Sequence, residues 1–197
     1  MGETLDVDML TLRELARQVR DRGFTGGVAA SHCVSLAVQD HATQEAVAAE
    51  VAAAGIAVIP LPQTNLYLQG RQHRVSVPRA LAPIDVLREA GVTVAAGGDN
   101  VQDPFNPVGR SDPLETASLL VVAGHQFPSV AYDMVSNEAR AAMGLPRVTM
   151  AVGDPADLVA IDAPNTRAAV AEAPADRLVF RRGRLVATTT RTTAIHR

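Results

Sequence analysis

Short apolar runs alternate with amphipathic stretches over the first three-quarters of the chain. Residues 26–31 (GGVAAS), 56–61 (IAVIPL) and 92–96 (VTVAA) are unbroken apolar runs, the pattern of strands buried on both faces. Between them lie helical patterns. Residues 11–22 (TLRELARQVRDR) are amphipathic, with Thr11 and Glu14 at capping-box spacing and Gly23 as the stop. Residues 43–54 (TQEAVAAEVAAA) close on Gly55, and residues 83–90 (PIDVLREA) close on Gly91. Residues 113–123 and 136–143 read as two further helices, the second with Ser136 as its N-cap. Strands alternating with helices predict an α/β fold whose parallel sheet is covered by helices.

From about residue 152 the period changes. Residues 153–162 (GDPADLVAID) and 177–190 (RLVFRRGRLVATTT) carry strand signals with no helical period between them, and Arg182-Gly183 is a hairpin turn. This tail reads as a small β unit. Residues 165–175 (NTRAAVAEAPA) read as a mobile loop.

Composition narrows the function classes. The 197 residues suffice for one sizeable domain, and 47% hydrophobic content supplies its core. A net charge of -3 points away from nucleic acid and from an anionic membrane surface. All 18 basic residues are arginine, a compositional bias without evident chemistry. One cysteine, Cys33, leaves no internal disulfide and no Cys-rich zinc module. No apolar run approaches the roughly 20 residues of a membrane span, and the acidic start MGETLDVD lacks a signal-peptide pattern, so the expected location is the cytoplasm.

Polar groups at strand ends are the candidates for chemistry. Glu3 precedes the first helix, His32 ends GGVAAS, Gln63 and Asn65 follow IAVIPL, and Asp99 follows VTVAA in the sequence Gly97-Gly98-Asp99-Asn100. Successive strand ends of a parallel barrel converge on one face, so these groups would share one pocket. Carboxylate, imidazole and amide together suit an activated water with a carboxylic acid shuttling its proton. Each also has a plainer explanation. Glu3 can be a solvated terminal charge, His32 a buried imidazole bonded to backbone, and Asp99 a turn or N-cap residue. Cys33 reads as a small core residue. His41, His73, His125 and His196 show no ligand spacing, and Arg181, Arg182 and Arg184 form a solvated hairpin face.

The whole chain resembles the C-terminal half of a cytosine deaminase-like member of the amidohydrolase superfamily. The resemblance runs through Glu3-Thr4, Ala30-Ser31-His32, the stretch from Asn65 to Arg71 (NLYLQGR), the stretch from Gly98 to Phe105 (GDNVQDPF), and Gly153-Asp154-Pro155-Ala156-Asp157-Leu158-Val159. The Leu-Gln-Gly-Arg segment ahead of the Asp-x-x-x-Asp-Pro-aromatic loop is its most specific part. The closing Gly-Asp-Pro-Ala-Asp-Leu-Val is shared by the wider superfamily.

The resemblance implies a distorted, TIM-like (β/α)8 barrel holding one divalent metal, zinc or iron. Residues 1–150 would supply strands five to eight, and residues 151–197 the C-terminal part of a small β-sandwich domain. Asp99 matches the aspartate that ligates the metal and helps deprotonate its water. His32 matches the histidine that polarises that water, and Glu3 the glutamate that protonates the substrate ring nitrogen. Gln63, Asn65, Asn100 and Phe105 are the expected substrate contacts, with Phe105 standing where cytosine deaminases carry a Trp. The implied reaction is hydrolytic deamination of a cyclic amidine, such as cytosine or a related pyrimidine or triazine.

The chain also departs from that pattern. Cytosine deaminases tend to read Gly-His-Asp-Asp where this chain reads Gly97-Gly98-Asp99-Asn100, a form that also resembles hydroxytriazine amidohydrolases. An amide at Asn100 can donate as well as accept, so the exocyclic groups it suits differ. The resemblance puts a metal-binding histidine three residues before Glu3, which falls before Met1, and puts a His-x-His pair and four strands earlier still. One expectation is that Met1 is an internal start within a longer gene; a genuine truncation and an interrupted gene are the alternatives. The chain alone is expected to bind metal weakly, to be inactive, and to associate with itself or with the missing N-terminal half. A second reading is a catalytically inert α/β interaction module derived from an amidohydrolase. A third, a complete flavodoxin-like enzyme, is disfavoured because no Gly-rich phosphate loop follows a first strand.

Overall fold

The computed structural model describes residues 1–196. The elements follow in the order α1 (Thr11–Asp21), β1 (Val28–Ser31), α2 (Val34–Ala37), α3 (His41–Ala53), β2 (Ile56–Ile59), α4 (Pro62–Leu68), α5 (Ile84–Glu89), α6 (Pro113–Val122), α7 (Pro128–Met134), α8 (Asn137–Ala142), β3 (Leu158–Ile161), α9 (Thr166–Glu172), β4 (Arg177–Arg181) and β5 (Arg184–Thr189). The chain is α/β, as its alternating pattern predicts.

β1 and β2 pair in parallel, with Val28 opposite Ile56 and Ser31 opposite Ile59. Segment 92–96 continues this layer through a single parallel bridge between Val58 and Val94. Val58 N–H donates to Thr93 O at 2.9 Å, and Ala95 N–H to Val58 O at 3.0 Å. Cover of this layer is uneven: β2 is buried or half-buried along its length, whereas Ala29 in the middle of β1 is exposed, so the double-faced burial read from the apolar run of β1 is corrected. Leu12, Ala16 and Val19 of α1 recur at spacings of four and three and are buried, as are Val47, Ala48 and Val51 of α3. Ile56, Val58, Leu87, Val94, Leu120 and Met134 complete the core, each no more than 2% exposed.

The tail is an antiparallel sheet in the order β3-β4-β5. Arg182 and Gly183 have φ of 50° and 73°, the two left-handed positions of a tight hairpin turn, so the sequence signal there holds. The segment read as a mobile loop is instead α9. Asn165 Oδ1 accepts from Ala168 N–H at 3.0 Å and starts the helix, and Ala169 and Val170 are buried where it meets α6 and α7. The capping box expected at Thr11 and Glu14 is also corrected. Leu10 is the N-cap of α1, and Glu14 is spent on Arg17 and Gln18. Ser136 is an N-cap by position, but its hydroxyl donates back to Tyr132 O at 2.7 Å. Among the described residues, no helix is long and apolar enough to cross a membrane.

Candidate active site

β1 ends in a reversal that aims the ring of His32. His32 and Cys33 have φ of 67° and 56°, so two consecutive non-glycine residues sit in the left-handed region. His32 N–H still donates to Ile59 O at 3.0 Å, which keeps it on the β1–β2 ladder until the turn. Backbone strain of this kind gathers where a side chain is held in a set direction. Cys33 is fully buried beneath the turn, and burial pushes its thiol up to about 12.

The N-terminal residues run alongside the same turn. The Met1 amine donates to Ser31 O at 2.9 Å, and Cys33 N–H donates to Met1 O at 2.9 Å. Gly2 then turns the chain with φ of 57°. A Cβ there would lie 2.2 Å from Ser35 Oγ, so only glycine fits. Glu3 follows, its carbonyl held by Gln69 Nε2 at 3.0 Å. The Gln69 amide of the Leu-Gln-Gly-Arg segment thus positions Glu3, a role the sequence reading missed.

Three of the expected residues come together. Glu3 Oε1 lies 3.4 Å from His32 Nδ1, and Asp99 Oδ2 lies 4.0 Å from His32 Nε2. The imidazole, 13% exposed, therefore has a carboxylate at each end, while Glu3 and Asp99 retain 42% and 30% exposure. Asp99 has φ of 59°, again left-handed, immediately after Gly97-Gly98.

α4 delivers the amides. Asn65 is fully buried, and its Nδ2 lies 3.0 Å from His32 Nδ1. Gln63 Nε2 donates to Thr116 Oγ1 of α6 at 2.7 Å, and Gln63 Oε1 is buried without a partner. A Cβ at Gly98 would lie 3.7 Å from Gln63 Nε2, an ordinary contact. Asn100 and Phe105 lie on the loop after Asp99. Asn100 N–H donates to Thr64 Oγ1 at 3.2 Å, and Asn100 Nδ2 donates to Asp103 Oδ2. Asp103 Oδ1 accepts from the backbone N–H groups of Phe105 (2.8 Å) and Asn106 (3.0 Å). Partial burial works against its charge, yet these three donors hold the Asp103 carboxyl below the usual carboxylate range. Phe105 is 55% exposed. Thr64 and Asn106 were not singled out from the sequence, and Asp103 stood there only as part of the Asp-x-x-x-Asp-Pro-aromatic loop, with no role of its own.

The donor set falls short of a metal site. His32 and Asp99 provide one imidazole and one carboxylate, whereas a catalytic zinc takes three protein ligands. Among the described residues, no group of three or more His, Cys, Asp or Glu side chains is placed to hold a metal ion.

The model of the amidohydrolase family matches residues 3–193. A pterin deaminase of Rhizobium rhizogenes is 37% identical over 192 residues, covering 94% of this chain and 44% of that protein. The crystal structure of 5-methylcytosine deaminase from Klebsiella pneumoniae, liganded with 5-fluorocytosine, superposes with a TM-score of 0.84 at 25% identity. It covers 99% of this chain and 48% of its own. N-isopropylammelide isopropylaminohydrolase from Burkholderia multivorans gives a TM-score of 0.76 at 28% identity, over 91% and 44% of the two chains. The chain spans about half the length of the relatives it matches.

Proposed function

Because the chain belongs to the amidohydrolase family, whose model matches residues 3–193, we propose that it forms the C-terminal half of a hydrolytic deaminase for a cyclic amidine. In this reading the β1–β2 layer and segment 92–96 belong to the second half of a (β/α)8 barrel. Pterin, methylcytosine and isopropylammelide, named in the three relatives, are planar nitrogen heterocycles bearing an exocyclic nitrogen. The substrate class is therefore a small heterocycle of that kind. The observation that carries the reading is the alignment of Glu3, His32 and Asp99, with a carboxylate at each end of one half-buried imidazole.

Hydrolytic deamination forms a bond from a water oxygen to the ring carbon and breaks the exocyclic C–N bond. Both protons leave the water oxygen, which ends as the ring carbonyl: one is placed on the ring nitrogen and the other goes to the amino group, which departs as ammonia. Asp99, on the Nε2 side of His32, takes the proton from the water. His32 orients that water through its ring. Glu3, the most exposed of the three, carries a proton to the substrate ring nitrogen. Gln63 and Asn100 recognise ring substituents, and Phe105 covers the heterocycle. In the family a divalent metal, zinc or iron, supplies the activation of such a water; if one were held, Asp99 would be the carboxylate this chain offers it, short of a full ligand set by itself. The other donors come from the N-terminal half, which is also the partner this chain pairs with.

The test is ammonia release from cytosine, isocytosine, pterin and hydroxytriazines. It is run on the chain alone and on the chain mixed with the N-terminal half of the 37%-identical pterin deaminase plus zinc or ferrous iron. Release confined to the mixture, and abolished by Asp99→Asn, supports the proposal. No release from a mixture that forms a stable complex overturns it in favour of the inert interaction module.

A further inference from the structure

We infer that Asn65 is a positioning residue that fixes the proton of His32 on Nε2, toward Asp99, and so leaves Glu3 unpaired and free to move protons. The inference rests on the proposed deaminase site but stands on its own geometry. Asn65 is fully buried, so it cannot touch a substrate, and its one side-chain bond runs to His32 Nδ1 at 3.0 Å. Its Oδ1 is buried with no partner. A buried orphan acceptor costs about 1–3 kcal/mol, and an apolar side chain of the same branching, such as leucine, would avoid that cost. Stability does not account for an amide at this position; the direction of its N–H bond does.

The shorter contact at Nδ1, the 3.0 Å one to Asn65, decides the tautomer over the 3.4 Å approach of the Glu3 carboxylate. An amide N–H donating to Nδ1 requires a lone pair there, which leaves the proton on Nε2. An Nε2–H faces the acceptor Asp99 Oδ2, 4.0 Å away, a span one water can bridge. With the proton on Nδ1, that N–H and the Asn65 amide N–H would face each other across 3.0 Å with no acceptor between them. The same assignment decides what Glu3 does. Its Oε1 lies 3.4 Å from Nδ1, longer than a charge-assisted hydrogen bond of roughly 2.7–2.9 Å. Since Asn65 already occupies Nδ1, there is no proton for Glu3 to bind, and its carboxylate stays available.

Nitrogen-15 NMR of the imidazole rings in the intact chain, at alkaline pH where histidine is neutral, reads this directly. His32→Asn assigns the His32 signals by their loss. The expected result for the unmodified chain is the Nε2–H tautomer. In Asn65→Asp, which swaps donor for acceptor, the proton shifts to Nδ1; in Asn65→Leu, the two tautomers mix. Finding Nδ1–H in the unmodified chain overturns the inference without any variant having to fold. An Asn65→Asp chain that folds, by its circular dichroism, and keeps Nε2–H overturns it as well. Neither readout depends on deamination, so a failed activity assay leaves this result standing.

Discussion

Arg177 and Asp112 form a two-pronged ion pair that ties the antiparallel tail to the helical layer. Arg177 Nη1 lies 3.0 Å from Asp112 Oδ1 and Nη2 lies 2.7 Å from Oδ2, with the side chains only 19% and 14% exposed. Asp112 also caps α6, accepting from Leu114 N–H at 3.0 Å. One carboxylate therefore fixes both the start of α6 and the start of β4.

Arg177→Met strands that carboxylate in a largely buried position. The expected cost is about 2–3 kcal/mol, because the remaining charge loses its partner without regaining water. For a chain of this size that lowers Tm by about 4–12 °C. Thermal unfolding followed by circular dichroism measures it; a loss under one degree would mean the pair contributes nothing.

Acid should weaken the same junction. Burial raises the Asp112 pKa, but Arg177 and Leu114 N–H outweigh it and hold the carboxyl below its ordinary value of 3.8. A folded pKa below the unfolded one gives stability that is complete above the unfolded value and lost as pH falls through the folded one. Asp112→Asn, which keeps the cap, should flatten the decline of Tm below about pH 4 while lowering Tm at neutral pH. Parallel acid profiles in the two proteins would refute this.

Cys33 should be inert in the folded chain. Its thiol is fully buried and pushed up to about 12 by burial, so almost no thiolate forms at neutral pH. Iodoacetamide followed by mass spectrometry should label it only after denaturant is added. Fast labelling of the native chain would show that the His32–Cys33 turn opens.

The metal content of the purified chain is a further check. With Asp99 and His32 as its nearest pair of donors, the chain should hold far less than one zinc or iron per molecule after desalting. Elemental analysis finding one tightly held ion would show that this chain assembles a full ligand set on its own.

Local signals in the sequence translated well into structure. The spacing of Leu12, Ala16 and Val19 marks the buried face of α1, and Arg182-Gly183 supplies its turn. Glu3, His32 and Asp99, distant in sequence, meet at one imidazole, although no strand precedes Glu3 and Gln63 bonds to Thr116 instead. Gaps and errors arose where local signs compete. α4 was not read from the sequence at all, although Pro62 sits at its first position, where the missing N–H costs nothing. Asn165 and the nearby prolines suggested a loop, but the apolar side chains of α9 have α6 and α7 to bury against. The burial of Asn65 was not legible, because its partner His32 lies 33 residues away and no local pattern links them.

The left-handed backbone at His32 also limits how this position can change. From a histidine codon, single-base changes lead to Asn, Asp, Tyr, Gln, Arg, Leu or Pro. Asn and Asp accept a φ of 67° most readily, whereas proline, locked near -65°, cannot. Drift at this site therefore runs first toward residues that preserve the turn and remove the imidazole. A descendant of this chain can lose the imidazole in one step and keep the turn.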